Sequence, residues 1–460
     1  MSGGPQLSDR LIAELVQCGQ VAGVKDSVND VNVFASLRAF GVPPLRRTGP
    51  VSRARVGGAT VAEPLLLQPG PTLIDPRVVE AVGRPPVHHL SGSFSDVLDV
   101  TCDRLATIFD TRGEVVLLPA TGRGGVEAAI ASVYEPDRAV LVVSNGSFGE
   151  MIARIARALG ARVITLEAPP GEPVHQADVE ACLRRERVGI VALVHCETAT
   201  GILNDLDGLG ELVHRHGALL VVDAVSSVAG SPLPVDELGI DLAVGASQKA
   251  VGSLGGTSFV AVSGRAREAM LARSDQPRTS YLDLDRWWDQ WLPIDRGGRL
   301  ASGFRRQPWS TPTHPVFALE EACRIIVDEE GLDRRLARHA AAGAAVRAVL
   351  RSFGFRLFGG EETPSPTVTA FEGTDRVPAP DLIGLLRDEH GILVAGGLDA
   401  QRGQLVRIGH MAESARPGPL LTVLSAIAWI VHRRGGPGVG TDTLDELFFD
   451  AWTALAPVHG

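Results

Sequence analysis

Two residues 26 positions apart, Asp223 and Lys249, carry the strongest chemical signal in this 460-residue chain. Asp223 closes the apolar run Ala218-Leu219-Leu220-Val221-Val222, which reads as a strand buried on both faces. A carboxylate at the C-terminal end of such a strand lies where open α/β sheets put their ligand sites. Lys249 follows a second apolar piece, Asp241-Leu242-Ala243-Val244, in the loop Gly245-Ala246-Ser247-Gln248-Lys249, with Gly252, Gly255 and Gly256 behind it. Either residue alone has an ordinary reading, a surface lysine or a capping aspartate. Together they suit one chemistry. A lysine amine condenses with an aldehyde, and a carboxylate keeps a pyridine nitrogen protonated so that the ring accepts electrons, which is what pyridoxal phosphate requires.

The segments holding the pair, DAVSS and GASQK, resemble signature segments of the class V aminotransferases of fold type I, particularly the alanine–glyoxylate and serine–pyruvate group. LLLQPGPTLIDPRVVEAV resembles that family's opening, and the likeness runs from residue 63 to 432 with its motifs in order. It implies an α/β protein of the PLP-dependent transferase fold type I: a large domain with a mostly parallel central sheet, plus a smaller C-terminal α+β domain. The expected division is 1–62 as an N-terminal extension without an assigned role, 63–330 as the large PLP-binding domain and 331–460 as the small domain.

The resemblance distributes roles residue by residue. Lys249 would be the Schiff-base lysine and the proton-moving base, with Asp223 keeping the ring electron-poor, and two half-reactions would give ping-pong kinetics. A Gly-rich turn between a strand and a helix offers free N–H groups to a phosphate. Thr121, Gly122 and Arg123 occupy the phosphate-contacting positions of that turn, and Gln248 is a further phosphate contact. The family usually has a small hydroxyl residue or His where Arg123 stands, so its guanidinium either pairs with the phosphate or points outward. Phe148, in Asn145-Gly146-Ser147-Phe148-Gly149, matches the ring that lies flat on the pyridine; a core role is the alternative. In HCETATGILN the family's hydroxyl is replaced by Ala199, which leaves its contact to Thr198, Thr200 or water. Cys196 beside His195 is not read as a nucleophile pair, since neighbours on a strand point to opposite faces.

QPWSTPTHPV resembles the segment whose threonine, here Thr313, reaches the cofactor of the neighbouring subunit, which implies a homodimer with shared active sites. Ser310 stands where many relatives have a tyrosine, and His314 reads as structural. GILVAGG and VRIGHM resemble a second signature, whose arginine, Arg407, would grip the substrate α-carboxylate with its planar fork.

GASQK, the VAGG run and RIGHM favour an α-amino acid with a small oxoacid, alanine or serine with glyoxylate or pyruvate. HCETATGILN and PTHPV instead resemble 2-aminoethylphosphonate–pyruvate aminotransferases. Ala199, Arg123 and Ser310 leave open a third reading, the same cofactor running a retro-aldol or lyase reaction on an amino acid. A non-catalytic scaffold on this fold sits badly with both Lys249 and Asp223 being present. A cysteine desulfurase is disfavoured because the only cysteine after Lys249 is Cys323, within a helical pattern.

The elements that must position these residues alternate along the chain. Strands are expected at Glu114–Leu118, Ala139–Val143, Arg162–Leu166, Val188–Val194 and Thr257–Val262. Helices are expected at Ser93–Asp110, Val126–Tyr134, Glu150–Leu159, His175–Arg185 and Val316–Glu330. That alternation is the signature of parallel sheets. Beyond it come a long helix Leu332–Phe353, strands at Thr367–Phe371 and Leu405–Met411, and helices Ala379–Glu389 and Gly418–His432.

Composition bounds the rest. With 45% hydrophobic and 21% charged residues the chain is globular, and its length suggests two domains. A net charge of −10 argues against a nucleic-acid surface. Neither a membrane-length apolar stretch nor a signal-peptide core is present, so a soluble cytoplasmic protein is expected. Cys18, Cys102, Cys182, Cys196 and Cys323 form no CxxC pair and read as buried thiols. Arginine dominates over lysine as in a GC-rich coding source, so an arginine counts only where a motif isolates it. At the N-terminus, short helices are expected at Leu11–Cys18 and Val31–Phe40, with a linker from Arg46 to Ala59. Residues 21–41 weakly resemble the lysine-bearing strand of the dihydrodipicolinate synthase family. Without the barrel, Lys25 has no aldolase pocket, and the segment reads as an arm or remnant.

Overall fold

Seven short strands build one sheet, and the C-terminal edge shared by the six parallel ones is where the chemistry-bearing residues collect. The computed structural model describes residues 55–56, 59–60, 64–169, 171–273, 279–291, 305, 307–359, 363–438 and 440–455. The expectations for Lys25, Cys18, the two N-terminal helices and most of the linker lie outside these residues. Within the linker, Arg55–Val56 pairs antiparallel with Ala59–Thr60. The chain forms two compact units, one of Ile74–Leu336 with Gly359–Ser365, the other of residues up to Leu73 with Ala337–Phe358 and Pro366 onward.

In the first unit, helix α1 (Gly92–Phe109) leads to strand β1 (Glu114–Leu118) and helix α2 (Gly122–Val133). Strand β2 (Ala139–Ser144), helix α3 (Ser147–Ala158), strand β3 (Val163–Glu167) and helix α4 (Gln176–Arg185) follow. Then come β4 (Val188–Val194), α5 (Leu209–Arg215), β5 (Leu219–Asp223), β6 (Leu242–Ala246) and β7 (Ser258–Val262). The spatial order is β1-β7-β6-β5-β4-β2-β3. All strands run the same way except β7, which is antiparallel to both neighbours. An apolar run such as Ser258–Val262 is buried on both faces in either direction, so its hydrophobicity carried no sign of this reversal.

The sheet manages its two edges differently. Strand β3 is only half-buried and ends in Glu167, as suits an edge. Strand β1 is sealed: Trp291 Nε1 donates to Glu114 Oε1 (3.0 Å), the buried Arg305 pairs with Glu114 and Asp99, and Gln307 Nε2 donates to the Leu117 carbonyl (2.9 Å).

Helix starts differ from expectation, for a steric reason. Helix α2 begins at Gly122 rather than Val126, so the Gly-rich stretch is its first turn and not a loop. The glycines serve close packing: a Cβ on Gly122 would lie 2.7 Å from Val225 Cγ2, and one on Gly125 would lie 2.8 Å from Val244 Cγ1. Helix α3 likewise starts at Ser147 rather than Glu150. No helix joins β5 to β6; turns fill that crossover. The helix expected at Val316–Glu330 is α6 (Thr313–Arg324), continued as a wider π-helical stretch over Ile325–Glu330 and ended by Gly331 at φ 80°.

The second unit holds the part of helix α7 (Leu332–Ser352) from Ala337 onward, then β8 (Val368–Glu372), α8 (Ala379–His390), β9 (Ala395–Gly396) and β10 (Leu405–Gly409). Helices α9 (Pro417–Arg433) and α10 (Thr441–Thr453) close it. Its antiparallel sheet has the order β8-β10-β9, and Leu65–Leu66 pairs in parallel with Ile392–Leu393. GILVAGG therefore splits between two pairings, the second joining Ala395–Gly396 to β10. Phe371, Leu382, Ile408, Leu424, Ile427 and Phe448 share one core.

Two glycine substitutions test the close-packing account with opposite signs. Gly125→Ala should destabilise by about 1–3 kcal/mol, because Val244 and Ser258 already occupy the space. Gly384→Ala, in helix α8 with nothing within 4 Å of the new methyl, should stabilise by about 0.4–1 kcal/mol. Urea-unfolding midpoints read both.

Candidate active site

Asp223 ends β5 and is only 6% exposed. Its Oδ1 accepts the Val225 N–H (3.0 Å), and the strand ladder extends past it through His195 N–H donating to its carbonyl (2.9 Å). Burial pushes its carboxyl up to about 6, while the Val225 N–H and the charge of Lys249 pull it down. Lys249 thus acts electrostatically on Asp223 across the gap between two adjacent strand ends.

The lysine turn is fastened at several points. Ser247 N–H donates to the Thr257 carbonyl (3.0 Å), Ser253 N–H to the Ser247 carbonyl (2.8 Å) and Gly252 N–H to the Lys249 carbonyl (2.9 Å). The Ser247 hydroxyl donates to the Leu254 carbonyl. Arg335, 2% exposed, donates to the Ala250 carbonyl (2.5 Å) and pairs with Glu330 (2.8 Å). Next to Lys249, Gln248 Oε1 is buried with no hydrogen-bond partner among the described residues.

Helix α2 starts against this pair, since Gly122 abuts Val225 and Ala246. Thr121 is its N-cap but makes no side-chain capping bond, and both Thr121 and Arg123 are exposed. Phe148 lies half-buried in the first turn of α3, its N–H donating to Glu197 Oε2 (2.9 Å). Thr198 is buried, and so is Ala199. His195 and Cys196 bond in different places, His195 Nδ1 with Ser227 Oγ (2.9 Å) and Cys196 Sγ with Ser365 Oγ (3.0 Å). Burial pushes His195 down to about 4.

Asp223, Lys249, Gln248, Thr121, Gly122, Arg123, Phe148 and Thr198 therefore all follow strand ends on one edge of the sheet. Thr313 opens α6 and makes no hydrogen bond to that cluster among the described residues. His314 packs edge-on against Phe317 (6.0 Å). Arg407 belongs to the other unit, in β10, where its Nε donates to the Gly396 carbonyl (2.8 Å). Sequence reasoning gave no role to Arg335 or to Glu197. Arg335 follows no motif and was discounted with the other arginines, whereas the carboxylate after β4, in an otherwise apolar stretch, was a usable signal.

A buried carboxylate, an amine acting on it from the next strand end and a helix N-terminus beside them are the parts of a fold type I pyridoxal-phosphate enzyme. Residues 66–416 match the family model described as Aminotransferase class-V, and the chain belongs to that family of PLP-dependent aminotransferases. It is 31% identical over 387 residues to the (S)-ureidoglycine–glyoxylate transaminase of Bacillus subtilis (strain 168), covering 80% of this chain and 90% of that one. It is 33% identical over 353 residues to the alanine–glyoxylate aminotransferase of Oryctolagus cuniculus, covering 75% and 86%. Among solved structures, the alanine–glyoxylate aminotransferase from Nostoc sp. superposes with a TM-score of 0.76 at 31% identity, covering 84% of this chain and all of that one.

The raised Asp223 carboxyl sets a pH test. Stability from its protonated form is fully present below the unfolded value of 3.8 and is lost as pH rises through about 6. Asp223→Asn, which keeps the acceptor for Val225, should match the cofactor-free wild type near pH 4. It should exceed it by up to about 3 kcal/mol at pH 7. Urea unfolding across that range measures the gap.

Proposed function

We propose that this protein moves an amino group from a small amino acid of the alanine or serine type to a small oxoacid, glyoxylate or pyruvate. The observation that carries this is the Asp223–Lys249 pair at adjacent strand ends, with the start of α2 packed against it. The donor set suits pyridoxal phosphate. It offers a buried carboxylate for a ring nitrogen, an amine for the aldehyde, and a helix N-terminus with an uncommitted Thr121 hydroxyl, with the NH2 of Gln248 as a further donor. Bound there, the cofactor supplies the electron sink that lets a Cα proton leave.

The chain's own residues do the rest. Lys249 Nζ would take the proton from the substrate Cα and pass it to the cofactor's aldehyde carbon, so that the amino group can stay with the cofactor. Asp223 holds positive charge at the ring nitrogen. Thr121, Gly122, Arg123 and Gln248 hold the phosphate, Phe148 covers one ring face, and Thr198 offers a hydroxyl where Ala199 cannot. Arg407, whose Nε donates to the Gly396 carbonyl, would orient the substrate carboxylate through its planar guanidinium. Thr313 serves the site of a second copy, which makes the working form a homodimer. Exposed apolar Val79, Val87, Leu90 and Val100 are in keeping with such a contact. No helix among the described residues is long and apolar enough to cross a membrane, and we place the protein in the cytoplasm. Glyoxylate is favoured as acceptor because both curated relatives above carry it in their names.

Titrating the PLP-loaded protein with alanine, serine, glycine and 2-aminoethylphosphonate tests this reading. Alanine or serine should convert the cofactor to its pyridoxamine form, and glyoxylate should restore it. Conversion by 2-aminoethylphosphonate alone, or by none of the four, contradicts it. Lys249→Ala should abolish the conversion, and Arg407→Ala should raise the amino-acid KM by roughly 10–100-fold.

A further inference from the structure

Glu197 has no role in the reading above, yet it is 0% exposed and follows β4 by three residues. Its Oε2 accepts from the backbone N–H groups of Phe148 (2.9 Å) and Gly149 (3.2 Å), and its Oε1 accepts from that of Ala199 (2.9 Å). Phe148 and Gly149 lie in the first turn of α3, whose N-cap, Gly146, has no side chain to offer. The carboxylate therefore stands where a capping side chain would, at the positive end of the helix. Gly146 makes the room: a Cβ there would lie 2.6 Å from Glu197 Cγ.

The two segments joined in this way carry Phe148 and the Thr198–Ala199 turn. Both oxygens are committed to backbone donors, which suits holding rather than proton exchange with a substrate. Burial pushes the carboxyl up to about 7, the three N–H groups pull it down, and the Asp223 charge adds to the push. The ionised form satisfies the three donors best, because a protonated oxygen is a weaker acceptor.

We propose that Glu197 is a positioning residue of the cofactor site, its carboxylate fixing the Phe148 ring and the turn after Glu197 beside Asp223. The proposal rests on the cofactor reading given above. Glu197→Gln keeps the shape but sets an NH2 against at least one N–H donor. In the cofactor-free protein, amide hydrogen exchange at one or more of Phe148, Gly149 and Ala199 should accelerate about tenfold, according to which side the NH2 takes, and the Kd for PLP should rise about tenfold in parallel. With Phe148→Ala already in place, the same change should cost clearly less than about tenfold in Kd, because only the turn after Glu197 is left for the carboxylate to position. Unchanged exchange at those amides overturns the proposal, as does a tenfold loss of affinity that persists without the ring. Should Glu197→Gln fail to fold, Glu197→Asp retracts the carboxylate and must also accelerate exchange there; wild-type exchange in it overturns the proposal. A wild-type protein that binds no PLP overturns the positioning role together with the cofactor reading. Normal PLP binding with unresponsive amides overturns the positioning role alone.

Discussion

A carboxylate kept out of water beside a lysine is the constraint on which the rest of the first unit depends. Burial alone would neutralise Asp223, since a desolvated charge is expensive. The Val225 N–H and the charge of Lys249 counter part of that cost, and a protonated ring nitrogen would counter more. By itself the carboxylate makes the fold less stable than an amide at this position would, a difference that cofactor binding would offset. The lysine must be held in register for this to work. That is the task of the turn's internal hydrogen bonds and of Arg335, which anchors the Ala250 carbonyl with Glu330 as counter-ion.

Close approach of backbone segments brings the remaining residues to the same edge. Gly122 lets α2 press onto the residues after Asp223, and Gly146 admits the Glu197 side chain under α3. In both places a missing Cβ is used for proximity. The outcome is two helix N-termini directed at one edge of a mostly parallel sheet, with the Glu197 carboxylate at the start of one and the Thr121 hydroxyl, free of any capping bond, at the other.

Most of the strands could be read from the chain because strands buried on both faces are continuous apolar runs. The sites after them could be read because polar residues at those ends stand out against such runs. The positions of Asp223 and Lys249 at and after adjacent strand ends were legible for that reason, whereas Arg407, in mid-strand, stood out only by the resemblance of its motif. Glycines misled: they marked a loop at 119–125 where the helix had already begun at Gly122, since a breaker signal and a close-packing signal are the same residue. The direction of β7 was hidden because an apolar pentapeptide has no polarity along its axis. Arg335 and the two partners of Glu197 in α3 were hidden because each lies many residues from what it pairs with, and only the fold supplies those pairings.

The chain contains two lysines, Lys25 and Lys249, which makes the central claim directly measurable. Borohydride reduction of the PLP-loaded protein, followed by peptide mass mapping, reads which amine holds the cofactor. The account predicts a single phosphopyridoxyl group, on the peptide that carries Lys249. A label on Lys25, or a PLP-saturated protein from which no lysine adduct can be recovered, would contradict it.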